Sequence, residues 1–266
     1  MSSEKSSDGS GEASPRILAF HKIQRGFSYG VTNYSPRRFT RLLSCLLKKG
    51  YRFGSADRTL TRRQPDLLAF TFDDGYGHLA ECLPAVIERF RLQPVIFMPT
   101  AYIGRDNSWD YSHVFTNCPH LDEKGIKLLA DLGAEFGSHG HSHRPLTRLS
   151  DQALAAELRV SRQILEDITE KPVRYLSYPF GRYDQRVIDT ADRAGYQSAF
   201  TMEFPGRSDI SMALGRLPVY CHDTNFTVGQ KISAGPLYAV ERAKSRLTTA
   251  LSRGTSLYRR FSRSRL

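Results

Sequence analysis

A single α/β domain built on a parallel sheet is predicted by three features of this 266-residue chain. Short apolar, β-prone runs alternate with longer segments of helical period, the pattern of repeated βα units. The run over residues 67–72, Leu-Leu-Ala-Phe-Thr-Phe, stops at two adjacent carboxylates and a glycine, Asp73-Asp74-Gly75. A buried strand of such a sheet delivers side chains to a site at its C-terminal tip in this way. No glycine-rich fingerprint follows the first strand, so dinucleotide binding has no support.

Strand-like segments are predicted over residues 17–20, 67–72, 95–98, 134–137, 174–178 and 198–202. Helices are predicted between them, over residues 36–49, 79–91, 122–132, 151–168 and 185–194. In the fourth of these, Leu154, Leu158, Ile164, Leu165 and Ile168 recur at roughly helical spacing, and Ser150 is placed to cap its first turn.

The ends differ in character. Residues 1–14 are rich in Ser, Gly and Glu, are expected to be disordered, and lack the apolar core of a secretory signal. No run of about twenty apolar residues occurs, so no membrane-spanning helix is expected. Cys45, Cys82, Cys118 and Cys221 show no paired spacing and read as free thiols of a reducing compartment, which predicts a cytoplasmic protein. Residues 242–266 hold eight basic side chains and no acidic one, leaving only +3 of the net +11 for the rest of the chain. With Leu247, Leu251, Leu257, Tyr258 and Phe261 interspersed, this tail could lie on an anionic membrane surface at the inner face. A solvated, partly helical tail is the alternative, and nucleic-acid binding is disfavoured because no recognised module is present.

Two clusters carry chemistry. One of the adjacent acids could bind a metal while the other stays free as a base, although a solvated Asp-Asp-Gly turn competes with that reading. The second cluster, Glu135-Phe-Gly-Ser-His139-Gly-His141-Ser-His143-Arg-Pro145, packs three of the eight histidines into five residues. His139 and His143 are four apart, which brings two imidazoles to one side of a helix or tight loop. The zincin spacing is similar, but zincins need a glutamate after the first histidine and a helix between the pair; Gly140 and Pro145 exclude that. An Asp, His, His set leaves coordination positions open and points to metal-assisted hydrolysis of an acyl bond, with the spare aspartate as base.

Thr71-Phe-Asp-Asp-Gly75 resembles the first motif of the polysaccharide deacetylases, the NodB-homology or carbohydrate esterase family 4 enzymes. His139-Gly-His-Ser-His143, followed by Arg-Pro-Leu-Thr-Arg-Leu149, resembles their second motif, and Ser177-Tyr-Pro-Phe-Gly181 their third. The resemblance runs from about Pro65 to about Val219. It implies a distorted, incomplete (β/α) barrel, with a βα extension over 15–64 and the NodB-homology domain over 65–228; composition sets off a disordered tail over 1–14 and a basic tail over 229–266 that could be helical. It implies Asp73 as general base, Asp74, His139 and His143 as metal ligands, and the Phe180 N–H as an oxyanion donor. Pro179 and Phe180, with Tyr178 beside them, would shape the sugar groove. Zinc is the expected metal, with cobalt, manganese or nickel as substitutes. The implied substrate is an acetylated polysaccharide or its sugar precursor.

Some positions depart from the family pattern. Gly140 stands where Ser or Thr is usual. Ser177 stands where an arginine often orients the base; Arg174 is too early to align with it, and the arginine-free form is shared by some exopolysaccharide-type members. His222, in Arg216-Leu-Pro-Val-Tyr-Cys-His-Asp223, is the late candidate for a catalytic acid, although Arg216-Leu-Pro-Val219 also resembles an exopolysaccharide-type ending that needs no histidine. His21 ends the first strand and resembles the Tyr-His opening of that subgroup; a buried, hydrogen-bonded residue is expected there. His141 is expected beside the ligands or exposed. Two other readings stay open: hydrolysis of a non-sugar amide, and a non-catalytic carbohydrate-binding relative, which Ser177 would favour.

Overall fold

The computed structural model describes residues 14–25, 30–106, 118–206 and 210–248. The first thirteen residues and the tail from 249 onward, with Leu251, Leu257, Tyr258 and Phe261, lie outside the described residues. Its strands are β1 (Arg16–Phe20), β2 (Lys22–Ile23), β3 (Asn33–Tyr34), β4 (Arg52–Phe53), β5 (Leu67–Phe72), β6 (Val95–Met98), β7 (Glu135–Ser138), β8 (Tyr175–Ser177), β9 (Ser198–Phe200) and β10 (Leu217–Pro218). The helices are α1 (Pro36–Lys48), α2 (Ala56–Arg62), α3 (His78–Phe90), α4 (Glu123–Asp131), α5 (Asp151–Thr169), α6 (Gln185–Arg193) and α7 (Asn225–Ser233), followed by a terminal helix over residues 238–248.

Eight strands form one parallel sheet in the order β10-β1-β5-β6-β7-β8-β9, with β4 paired to the lower end of β5. The sheet curls into an incomplete barrel. Leu214 bridges to Phe200 of β9, and Leu217 pairs with Leu18 of β1, so one short segment reaches from one sheet edge to the other.

Side-chain alternation along the strands separates two cores. Leu18, Phe20, Phe70, Phe72, Ile96, Met98 and Leu176 face the helices. Ile17, Ala69, Val95, Phe97, Tyr175 and Phe200 face the barrel interior. The first core is dense in aromatics: the Phe20 ring lies 5.1 Å from Phe39 and 5.7 Å from both Tyr34 and Phe72, spacings typical of favourable ring pairs. β1 therefore sits in the interior of the sheet, between β5 and β10.

The predicted strands and helices all occur, with ends displaced by a residue or two at most places, as expected for fraying termini. Ser150 caps α5, accepting from the Ala153 N–H. The two-residue strands β4 and β10 and the helices α2 and α7 carry too short or too polar a pattern to stand out in the sequence. Among the described residues, no helix is long and apolar enough to cross a membrane.

Candidate active site

The two carboxylates diverge because the strand register separates them. Thr71 and Asp73 continue the inward-facing set of β5, while Asp74 leaves the strand in a left-handed conformation at φ 69°. Gly75 follows at φ 55°, where an added Cβ would come within 2.3 Å of the Met98 sulfur, so only glycine closes this turn.

Asp73 is buried against Arg216, whose side chain is fully enclosed in the barrel. The guanidinium forks both carboxylate oxygens, Nη1 to Oδ1 and Nη2 to Oδ2, each at 2.7 Å. Its remaining donors reach Thr71 Oγ1, Ser177 Oγ and the Thr201 carbonyl, each at 3.0 Å. All five N–H groups of the side chain thus have acceptors, and the rings of Phe97 and Phe200 flank it at 5.4 and 5.8 Å. Burial pushes the Asp73 carboxyl upward, but the charge and hydrogen bonds of Arg216 outweigh it, and the net pKa lies below the ordinary carboxylate value.

Arg216 is the functional residue that the sequence pattern did not disclose. It lies just before β10 in the segment that closes the barrel, 143 positions from Asp73. Ser177 leaves space for the guanidinium and accepts from it, so the orienting arginine comes from the opposite edge of the sheet. Arg174, by contrast, pairs with Glu135 at 2.6 Å.

Asp74, His139 and His143 converge. His139 Nε2 and His143 Nε2 lie 3.4 and 3.3 Å from the same Asp74 oxygen, and all three side chains are buried. Their ligand atoms fall within 4.8 Å of one another. A tetrahedron with bonds of about 2.1 Å has edges of about 3.4 Å, so the donor set fits a divalent cation. His139 donates from Nδ1 to the Ser177 carbonyl at 2.7 Å, which leaves Nε2 as the coordinating atom. Burial would raise the Asp74 pKa, yet hydrogen bonds from both imidazoles drive it well below the usual value. Burial dominates at His143, whose pKa falls; at His139 burial also pushes downward, but the Asp74 hydrogen bond together with the charges of Asp73 and Asp74 reverses it and the pKa rises.

The loop between the histidines is held from three sides. The Glu157 carboxylate accepts from the Ser142 N–H and hydroxyl. Ser161 donates to the Gly140 carbonyl at 3.0 Å. His141 pairs through Nδ1 with Thr100 Oγ1 at 2.9 Å and so faces away from the Asp74 cluster. Gly140 adopts φ 74°, the left-handed region that favours glycine, with Glu157 packed against it.

Three placements correct expectations. The Tyr178 side chain does not line the groove: it is buried, stacked on Tyr183, with its hydroxyl donated to the Met212 carbonyl at 2.7 Å. His222 is exposed and stacks on Tyr220 at 5.6 Å, with no contact to Asp73, Asp74, His139 or His143. His21 is half-buried and takes no hydrogen-bond partner among the described residues. Pro179 is buried, and Phe180 sits at φ 60° with its ring 4.8 Å from that of His143. Left-handed backbone at an aromatic residue costs on the order of 1–3 kcal/mol and persists only where its surroundings enforce it.

The family pattern described as polysaccharide deacetylase matches residues 61–199. YxkH of Bacillus subtilis (strain 168), a polysaccharide deacetylase by inferred assignment, is 27% identical over 202 residues, covering 71% of this chain and 64% of its own length. The peptidoglycan-N-acetylmuramic acid deacetylase PdaA of the same organism is 26% identical over 193 residues, covering 71% of this chain and 65% of its own. The chain thus spans just under two thirds of these curated relatives. The structure of Streptococcus pyogenes deacetylase PplD in complex with acetate superposes with a TM-score of 0.70 at 18% identity, covering 82% of this chain and 97% of that one. At that identity the likeness is one of fold. With the motif residues gathered at one end of the sheet and the pattern spanning more than half of the sequence, the chain belongs to the polysaccharide deacetylase family.

Proposed function

We propose that this protein is a metal-dependent hydrolase that removes N-acetyl groups, and O-acetyl groups by the same chemistry, from a polysaccharide or its sugar precursor. One observation carries the reading: adjacent buried carboxylates face different partners, Asp73 the Arg216 guanidinium and Asp74 the imidazoles of His139 and His143. A divalent cation held by Asp74, His139 and His143, with zinc the first choice and cobalt, manganese or nickel as substitutes, would polarise the acyl oxygen and acidify water.

The chain's own groups supply the rest. Asp73, kept ionised and oriented by the Arg216 fork, takes the proton of the attacking water. The Phe180 N–H stabilises the developing oxyanion, a contribution of about 3 kcal/mol for a preorganised donor. Pro179 and Phe180 shape the sugar groove. The non-catalytic alternative drew its support from Ser177, and Arg216 removes that ground. A non-sugar amide as substrate is distinguished by acetate release across a panel of acetylated oligosaccharides.

An anionic membrane surface is a second proposed partner. Glu241, the one acid of residues 237–266, is buried and paired with Lys244 at 2.6 Å, which leaves Arg242 and Arg246 without an acidic neighbour in that segment. The exposed face of the terminal helix carries Val240 and Leu247 beside Arg242 and Arg246, with exposed Leu237 just before it. Apolar side chains interleaved with unbalanced cations suit an anionic interface. The full chain is expected to co-sediment with phosphatidylglycerol vesicles at low salt, and Val240→Asp with Leu247→Asp to lose it. Equal binding by that variant, or none by the wild type, would refute this partner.

For the reaction, Asp73→Asn is predicted to retain bound metal and to lower acetate release by about 10²–10⁴-fold, the usual worth of a general base. Unchanged turnover would remove Asp73 from the role. Arg216→Lys keeps a charge but loses the fork, so the Asp73 pKa rises. Because the base must be unprotonated, the acid limb of kcat/KM is predicted to move to higher pH. A profile superimposable on the wild type would contradict the assignment of Arg216.

A further inference from the structure

We propose that His120 is a positioning residue for the metal-binding turn, holding the Asp74 main chain so that its carboxylate faces His139 and His143. This rests on the metal-centre reading above. His120 is buried, and its Nδ1 lies 2.7 Å from the Asp74 carbonyl oxygen. A carbonyl only accepts, so Nδ1 carries the proton. The bond lands on the residue whose backbone is left-handed, at the point where the chain must turn away from β5 to separate the two acids.

The surroundings fix the imidazole in this pose. His120 and Tyr76 form an antiparallel bridge, and their rings stack at 5.2 Å and 19°. The Tyr102 ring closes a second side at 5.6 Å. Main-chain bonds run on both flanks, from the Leu121 N–H to the Gly75 carbonyl at 2.8 Å and from the Gly77 N–H to the Pro119 carbonyl at 2.7 Å. Residues 118–121 thus form a brace across the turn 74–77, and the His120 side chain bonds to the main chain of a metal-ligand residue. No motif of the family alignment region discloses it, because the brace is 46 positions from Asp74.

Groups that orient a metal ligand typically change metal affinity by about 10–100-fold when removed. His120→Phe keeps the stacked ring and deletes the donor. His120→Asn restores an N–H attached directly to Cγ, the position that Nδ1 occupies. Zinc affinity of the full chain, measured by competition with a chromogenic chelator, is expected to fall by about 10–100-fold in His120→Phe and to recover to within a few-fold in His120→Asn. Wild-type affinity in His120→Phe overturns the proposal. If His120→Phe does not fold, the tautomer of wild-type His120 decides, read from imidazole ¹⁵N shifts in metal-free protein: Nδ1–H supports the brace, and Nε2–H overturns it. That readout needs no metal, so zinc failing to bind while Nδ1 is protonated would strike the metal-centre reading alone.

Discussion

Two carboxylic acids end the same strand, and both are buried where an unpartnered charge would be costly. Removing one partner of such a pair typically costs about 3–5 kcal/mol, because the other charge stays buried. Arg216 therefore does more than orient Asp73. It sits in the segment that carries the chain from β9 to β10, so closing the barrel and neutralising the inward acid are one structural event. Ser177 and Thr71 complete the arrangement by accepting the donors that Asp73 leaves over.

Apart from helix C-caps, the left-handed non-glycine residues of the described structure lie where the chemistry is proposed. Asp74, His143 and Phe180 are non-glycine residues with φ of 69°, 53° and 60°, and each belongs to a different loop at the same end of the sheet. Such conformations persist only where surrounding contacts enforce them. Here the contacts are visible: the 118–121 brace at Asp74, the Glu157 carboxylate under the histidine loop, and the His143 ring against Phe180.

Much of this was legible in the sequence, because it is local. The β5 run announced both a buried strand and its acidic tip, and the histidine spacing announced a paired-imidazole loop, so Asp74, His139 and His143 could be grouped without coordinates. Arg216 was hidden because a guanidinium reaching across a barrel leaves no local pattern. Its one trace was an arginine opening the late Arg216-Leu-Pro-Val219 segment, which read as an ending rather than a partner. Tyr178 was misplaced although the register offered a warning: Tyr175 and Ser177 face inward, so the next residue turns toward the helices. His222 looked suitable from its apolar approach and acidic neighbour, yet Asp223 is committed to buried Lys231 at 2.6 Å.

The division of labour between the two acids is tested most directly by a crystal structure of the zinc-loaded protein with anomalous scattering at the zinc edge. The account predicts one ion bound by Asp74, His139 and His143, with Asp73 still forked by Arg216 and outside the coordination sphere. An ion bridging both carboxylates, or bound with Arg216 displaced from Asp73, would contradict it.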